Sequence, residues 1–553
     1  MTICASVASS TRIAGSHIRF WREGINTWLR DLITNGFLSS SKAPVFIREA
    51  TGLTKSVSFF DAIALNISSM ATGVALASIG FTMVLLPTIS GINLVYASLI
   101  GFAFSVPQII VYTILTQKIP RTGGDYVWIS RNLGGLFGSA ITLMGFTLQT
   151  LAFLALTVLT TIFAIGSVGV SLGYMNFLPL ALPGNMAGSN PLSQFILGSL
   201  IFTILVIINV LRPRIGFKVV SAFTVIGIAT MVLAIGVLLS AGNQGVQSYM
   251  SVLNSIGSNT TYSQVANSYT GSTFDLAPNL FILPFFAIFV YPWIVAGPAV
   301  ASEVKGKNTL KWNVSIAAIL SVVLLTAGFG AMYWVGGFAF TNAALANPTL
   351  VYNYSFNFWT LAMGVASTPS IAWAIGIGWI VWNVAVLAYG IIIFSRYVFA
   401  QAFDRFLPTR LAYVSPKYGS PLVAHLVDLV LTIIFVGVAA FLYGPLSSLF
   451  GVVLSAVIYF AFVGLAAVLY AFRSEHGNTR AILAICGTLM ALVYAFLSYE
   501  FLSAPQVWGG NTLAYIYMVL SFIAGLVIYA LSKSYYKKLG IDIGMAFKEI
   551  PPE

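Results

Sequence analysis

Long apolar windows separated by short polar connections run the length of the chain. Twelve recur, at Phe59–Leu86, Gly91–Thr116, Trp128–Ala164, Gln194–Leu211, Val219–Ala241, Leu280–Ser302, Asn313–Val335, Ile371–Phe399, Leu422–Leu442, Ser447–Phe472, Ala481–Tyr499 and Leu513–Leu531. A helix needs about 17–25 apolar residues to cross the hydrocarbon core, and longer ones tilt or extend beyond it. The pattern therefore predicts an all-α membrane protein with twelve transmembrane helices, called spans 1 to 12 below. Residues 1–52 and 533–553 form polar tails, and residues 242–279 form the longest connection.

Two spans carry unusual middles. Span 1 contains Asn66-Ile67-Ser68-Ser69-Met70-Ala71-Thr72-Gly73, small and rich in hydroxyls. Span 6 contains Phe289-Val290-Tyr291-Pro292-Trp293, followed by Gly297-Pro298. An internal proline removes an amide donor and clashes with the preceding turn. Unwound backbone at membrane depth survives only when it lines a cavity or is packed in protein. The two spans are five apart, so a five-helix unit repeated between them is inverted, and paired interruptions of this kind mark transporter binding sites. Half-helix N-termini offer free N–H groups to a carboxylate, and C-termini face an ammonium. Ordinary kinking is the competing reading, because glycine and proline are common in membrane helices.

Charge fixes the direction of threading. Only 7% of the 553 residues are charged, against 58% hydrophobic; soluble domains carry roughly 25% charged residues. With twelve spans, all 26 Lys and Arg fall on one side of the membrane. The positive-inside rule then places both termini in the cytoplasm of a plasma membrane protein. The basic residues sit in clusters between apolar runs, which fits a membrane surface rather than nucleic acid. Cys4 and Cys486 are far apart, and His17, His425 and His476 form no ligand pattern. No metal or cofactor is expected, and no cleavable signal is evident. Ile18–Phe37 has the spacing of an interfacial amphipathic helix. Asn259 and Asn353 head glycosylation sequons on the external side.

Four passages resemble the amino acid–polyamine–organocation (APC) transporter superfamily. Ile119-Pro120-Arg121-Thr122-Gly123-Gly124-Asp125-Tyr126 is similar to its Pro-Arg-Ser-Gly-Gly-Asp-Tyr signature. Glu303-Val304-Lys305 is similar to its Glu-Glu-Val-Lys ending of helix 6. Ser395-Arg396 with Asp404-Arg405-Phe406-Leu407-Pro408, and then Gly419-Ser420-Pro421, resemble its Ser-Arg, Arg-Asp-Gly-x-x-Pro and Gly-Thr-Pro pattern. The resemblance implies an amino acid permease with an inverted five-plus-five core of leucine-transporter type and two additional C-terminal helices. The repeats then occupy 53–241 and 280–473, and the added helices 474–532. It also implies alternating access, with substrate near the midplane.

The family's Gly-Ser-Gly-Ile motif matches Ala71, Thr72, Gly73 and Val74, with Ala71 departing from it. The resemblance thus points to Ser69, Met70, Ala71, Thr72 and Gly73 in span 1, and to Phe289, Val290, Tyr291 and Trp293 in span 6, as substrate contacts. Trp293 or Phe289 resembles an occluding aromatic gate. The helix 5 lysine used by some members is matched by Gly227, which argues against that coupling route. Ser395 resembles a hydroxyl of the sodium site between helices 1 and 8.

Other polar residues are read from their position. Gln149 and Asn383 lie mid-span and either face the cavity or join helices. Asp61 either complements the dipole of span 1 or gates it. Glu303 ends span 6, with Arg131, Arg396 or a lysine as partner. His425 and Asp428 share one face of span 9, as a proton relay or as a buried pair. The expected activity is secondary active transport of amino acids, coupled to H+ or Na+, as symport or exchange. A polyamine transporter, a sensor that binds without carrying, and a channel are the rivals. No His-Glu-x-x-His motif or nucleophile–base constellation suggests an enzyme.

Overall fold

The computed structural model describes residues 52–53, 55–175, 184, 190–443 and 451–551. The account concerns the compact unit comprising Arg48–Lys538 and Asp542–Glu553. The amphipathic segment at Ile18–Phe37, His17 and Cys4 lie outside the described residues.

Among the described residues, eleven helices are long and apolar enough to cross a membrane. The twelfth span is the interrupted sixth, with an apolar stretch at Leu276–Phe289 and a short turn at Ala296–Ala299. The chain is thus an all-helical, multi-pass membrane protein. Burial separates core from periphery: the most hydrophobic window of span 1 is 89% buried within the protein, whereas that of span 12 is 22% buried. Lipid covers the outer spans, so their apolar residues need no protein partner.

Observed boundaries differ from the hydropathy pattern where polar contacts override it. Span 3 is preceded by a separate helix, Asp125–Asn132, divided from Gly135–Thr142 by Gly134 at φ 91°. It then passes through a π-helical turn at Leu143–Leu148 before running on as Gln149–Met175. Span 5 continues beyond Ala241 across a kink at Gly242, so the long connection after it begins as helix as far as Ile256. Asn259 and Asn353 are exposed.

Candidate functional site

Span 1 is two helices, Phe59–Met70 and Thr72–Met83. Ala71 joins them in the left-handed conformation, φ 51° and ψ 35°. That conformation costs a non-glycine residue about 1–2 kcal/mol, so packing enforces the break. No side chain caps the second half. The amides of Thr72, Gly73 and Val74 therefore begin a helix without intrahelical acceptors.

Span 6 unwinds from Val290, where φ is −120° and ψ −76°, until Ala296. Both sides of this break are held by neighbours. Gln108 of span 2 donates to the Pro292 carbonyl at 3.0 Å, and the Tyr494 hydroxyl donates to Gln108 in turn. Asn66 accepts from the Gly297 amide at 2.8 Å and donates to Asn313 at 2.8 Å. The polar groups of span 1 thus cap the second half of span 6.

Aromatic rings connect the two breaks. Trp293 stacks on Phe153 of span 3 at 5.5 Å and also meets Phe146 and Phe460. Phe153 in turn lies 6.2 Å from Tyr389 of span 8, whose hydroxyl faces Ser69. Gln149 sits between Phe146 and Phe153 at helical spacing and so shares their face. Trp382 lies against Gly73: a Cβ built on Gly73 falls 2.6 Å from the indole Cδ2. Gly227 flanks the same indole, which leaves no room for a lysine side chain there unless Trp382 moves.

Six buried polar atoms on spans 1, 3 and 8 have no hydrogen-bond partner: Ser69 Oγ, Thr72 Oγ1, Gln149 Nε2 and Oε1, Asn383 Oδ1 and Trp382 Nε1. Each such group costs about 1–3 kcal/mol if it stays unsatisfied. Such groups beside the uncapped start of the second half of span 1 are what a polar ligand would relieve.

The family model described as amino acid permease matches residues 57–539. This chain belongs to the amino acid permease family. The family is one of transporters, not of enzymes, and its members act on small molecules. Two further similarities accompany the match. A curated relative, "Uncharacterized protein 399" of Sulfolobus islandicus rod-shaped virus 1, is 32% identical over 82 residues, which is 15% of this chain and 20% of that protein. The matched stretch therefore spans about a fifth of that relative's length. A solved structure of a Na+-coupled sialic acid symporter, in its substrate-bound outward-open state, aligns with a TM-score of 0.43 and 13% identity over 79% of this chain and 89% of that one.

On the side of the permease that carries the basic connections, the segments around spans 1, 3 and 6 are bonded to one another. Ser56 and Val57 amides donate to the Glu303 carbonyl, each at 2.9 Å, and the Lys305 amide returns a bond to Val57. The Gly123 amide donates to the Ala299 carbonyl at 2.9 Å. The glycine pair permits this approach: both have positive φ, and a Cβ on Gly124 would stand 3.0 Å from the Pro298 backbone. Two buried bidentate ion pairs lie on the same side. Arg396 meets Glu303 at 2.9 Å through each of two nitrogens. Arg131 meets Asp404 at 2.5 and 2.8 Å.

Other candidates of the permease fall in different places. Asp61 belongs to a capping box with Ser58, and also binds Lys218 at 3.0 Å and Ser221 at 2.6 Å. The Ser395 hydroxyl donates to the Ile392 carbonyl and accepts from Arg396. The Tyr291 side chain turns to span 2, bonding Ser98 at 2.7 Å, so only its backbone stands at the break. Phe289 packs on Phe285. Met70 and Val290 are fully buried. His425 and Asp428 are also fully buried and do not bond each other.

Asp125 was missed as a site residue, although it stands in the Gly-Gly-Asp-Tyr motif. It is buried and accepts from Tyr112 at 2.5 Å and from Tyr397, with Tyr459 also facing it. Desolvation raises its carboxyl from the usual 3.8 to about 6, against the pull of these hydroxyls. Between pH 4 and 6 the folded protein holds this proton while the unfolded chain has lost it. Asp125's contribution to stability therefore falls as pH rises across that window and is flat above it, by about 3 kcal/mol in all. Thermal unfolding in detergent from pH 4 to 7 checks this: Asp125→Asn should remove that part of the decline, and identical profiles would contradict it.

Proposed function

We propose that the permease carries neutral amino acids across the plasma membrane by alternating access, with both termini in the cytoplasm. In this reading the substrate carboxylate sits on the Thr72 and Gly73 amides. Its ammonium faces the carbonyls of Phe289–Tyr291 and the end of the first half of span 1. Gln149, Asn383 and the Ser69 and Thr72 hydroxyls supply the remaining polar contacts, and Trp293 closes over the side chain. The observation that supports the reading is the set of six unpartnered buried polar atoms on spans 1, 3 and 8, with Ser69 and Thr72 flanking the break in span 1 and Trp382 against Gly73. A zwitterion offers both charges that helix ends attract.

Neutral amino acids fit better than polyamines. Trp293, Phe153, Phe146, Phe460 and Tyr389 surround the region, and none supplies the carboxylate that a second ammonium requires. The test is counterflow into proteoliposomes containing the full chain, preloaded with unlabelled substrate. Labelled neutral L-amino acids should accumulate transiently and saturably, while putrescine and spermidine should not. Binding without counterflow would point to a sensor, and continuous ion flux without saturation to a channel. Selective counterflow of polyamines would overturn the substrate assignment.

A further inference from the structure

Span 9 carries a polar site that neither the helix breaks nor the gate uses. His425 and Asp428 are fully buried, one turn apart near the end that follows the basic connection Arg396–Lys417. Both His425 nitrogens lack a partner, as does Asp428 Oδ2, while Oδ1 accepts from Thr432 at 3.0 Å. Structural polar groups in a protein interior are ordinarily satisfied, and a desolvated charge requires a partner or must be neutralised.

The surroundings provide no such partner. Span 9 packs against spans 3, 4 and 8, meets Tyr517 of span 12 through Phe435, and borders the turn Thr409–Ala412, whose charged residue Arg410 is exposed. Gln149–Gly173 of span 3 and Pro191–Leu211 of span 4 contain no Asp, Glu, Lys, Arg or His. From span 8, Arg396 is the charged group whose field reaches His425, and it is already committed to Glu303. A bound hard cation takes about six or more oxygen ligands. Asp428 and Thr432 are far short of that number, whereas a proton needs a single oxygen.

We propose that Asp428 is the site of the coupling proton, with His425 as the step between it and the cytoplasmic end of span 9. This rests on the transport reading and names its driving ion. With the gate closed, Glu303 compensates the charge of Arg396 and Asp428 Oδ2 holds H+ as a neutral acid. When Glu303 leaves with span 6, the uncompensated positive charge of Arg396 favours Asp428 as carboxylate. The proton then passes through the imidazole to cytoplasmic water and leaves Asp428 as carboxylate, to be reprotonated from the outside. Each cycle moves one proton with one zwitterion.

Proteoliposomes with a labelled mixture of neutral L-amino acids test this in two arms. Counterflow without any gradient reads transport alone. Uptake driven by an acidic exterior, with membrane potential clamped, reads coupling. The wild type should accumulate substrate up to about tenfold per pH unit, the limit for one proton per substrate. Asp428→Asn should retain counterflow and lose the gradient-driven accumulation, and Asp428→Glu should restore it with a displaced pH profile. Absence of wild-type counterflow would sink the transport reading itself. Wild-type counterflow without proton-driven accumulation, or Asp428→Asn with accumulation intact, would overturn the proton site. Should Asp428→Asn not fold, an unaltered pH profile in Asp428→Glu overturns it equally.

Discussion

Alanine in place of Gly73 should weaken amino acid binding by about 10- to 100-fold and bring uptake close to background. The added Cβ would lie 2.6 Å from Trp382 Cδ2, 2.9 Å from Cγ and 3.0 Å from Cε2. The indole has little freedom to retreat, because Gly227 flanks it. The Gly73 backbone is also pinned, its carbonyl accepting from Trp359 Nε1 at 2.8 Å. Overpacking of this kind costs about 1–3 kcal/mol. Here the displacement falls on the amides proposed to hold the carboxylate, so the cost should appear as lost affinity, about tenfold for each 1.4 kcal/mol. Equilibrium binding to detergent-solubilised protein gives the readout, with size-exclusion behaviour as the folding control. Replacing Trp382 by phenylalanine in the Gly73→Ala background should recover part of the loss. Unchanged affinity in Gly73→Ala would remove the break in span 1 from the binding site.

Glu303→Gln should loosen the proposed gate on the side of the basic connections. Arg396 and Glu303 have side chains exposed by only 2% and 4%, so removing one charge strands the other in a desolvated place. Breaking a buried pair costs about 3–5 kcal/mol, which moves a two-state gate by a factor of about 10² to 10³ or more. The readout is hydrogen exchange at Ser56, Val57, Gly123 and Lys305, whose amides are bonded across the closed gate. Their exchange should accelerate by about a hundredfold or more in Glu303→Gln. It should return toward wild type in the double variant Glu303→Gln with Arg396→Met, in which neither charge is left alone. Wild-type exchange in Glu303→Gln would show that the ion pair does not hold the gate.

Much of this architecture was readable in the sequence because lipid imposes simple rules on it. A span must be long and apolar, and the one-sided distribution of lysine and arginine orders the connections. The breaks in spans 1 and 6 announced themselves through Thr72-Gly73 and through Pro292, and both are real. The position of Glu303 at the end of span 6 suggests a cationic partner, but the choice of Arg396 over Arg131 depends on which guanidinium the fold delivers there. That contact joins residues 93 positions apart, and no local pattern encodes it.

Other features were hidden for comparable reasons. The left-handed Ala71 occupies a position where glycine is the natural choice, so propensity gives no hint that the break persists. The π-helical turn before Gln149 has no counterpart in the hydropathy pattern. Trp382 looks like any apolar residue of span 8; its importance comes from two glycines, Gly73 and Gly227, on different helices. Tyr291 has the right sequence position, but its hydroxyl finds Ser98, and burial of a phenol favours whichever partner is within reach. Helix beyond Gly242 was masked by the polarity of a segment that lies outside the apolar window.

The position of a bound amino acid decides between this binding mode and any other. An experimental density map of the permease, with a neutral amino acid that passes the counterflow test, examines this directly. The expected map has the carboxylate within hydrogen-bonding distance of the Thr72 and Gly73 amides. The ammonium lies at the carbonyls of Phe289–Tyr291, and Trp293 covers the side chain. Ligand density elsewhere, or continuous helix through Ala71 and through Val290–Val295, would contradict it.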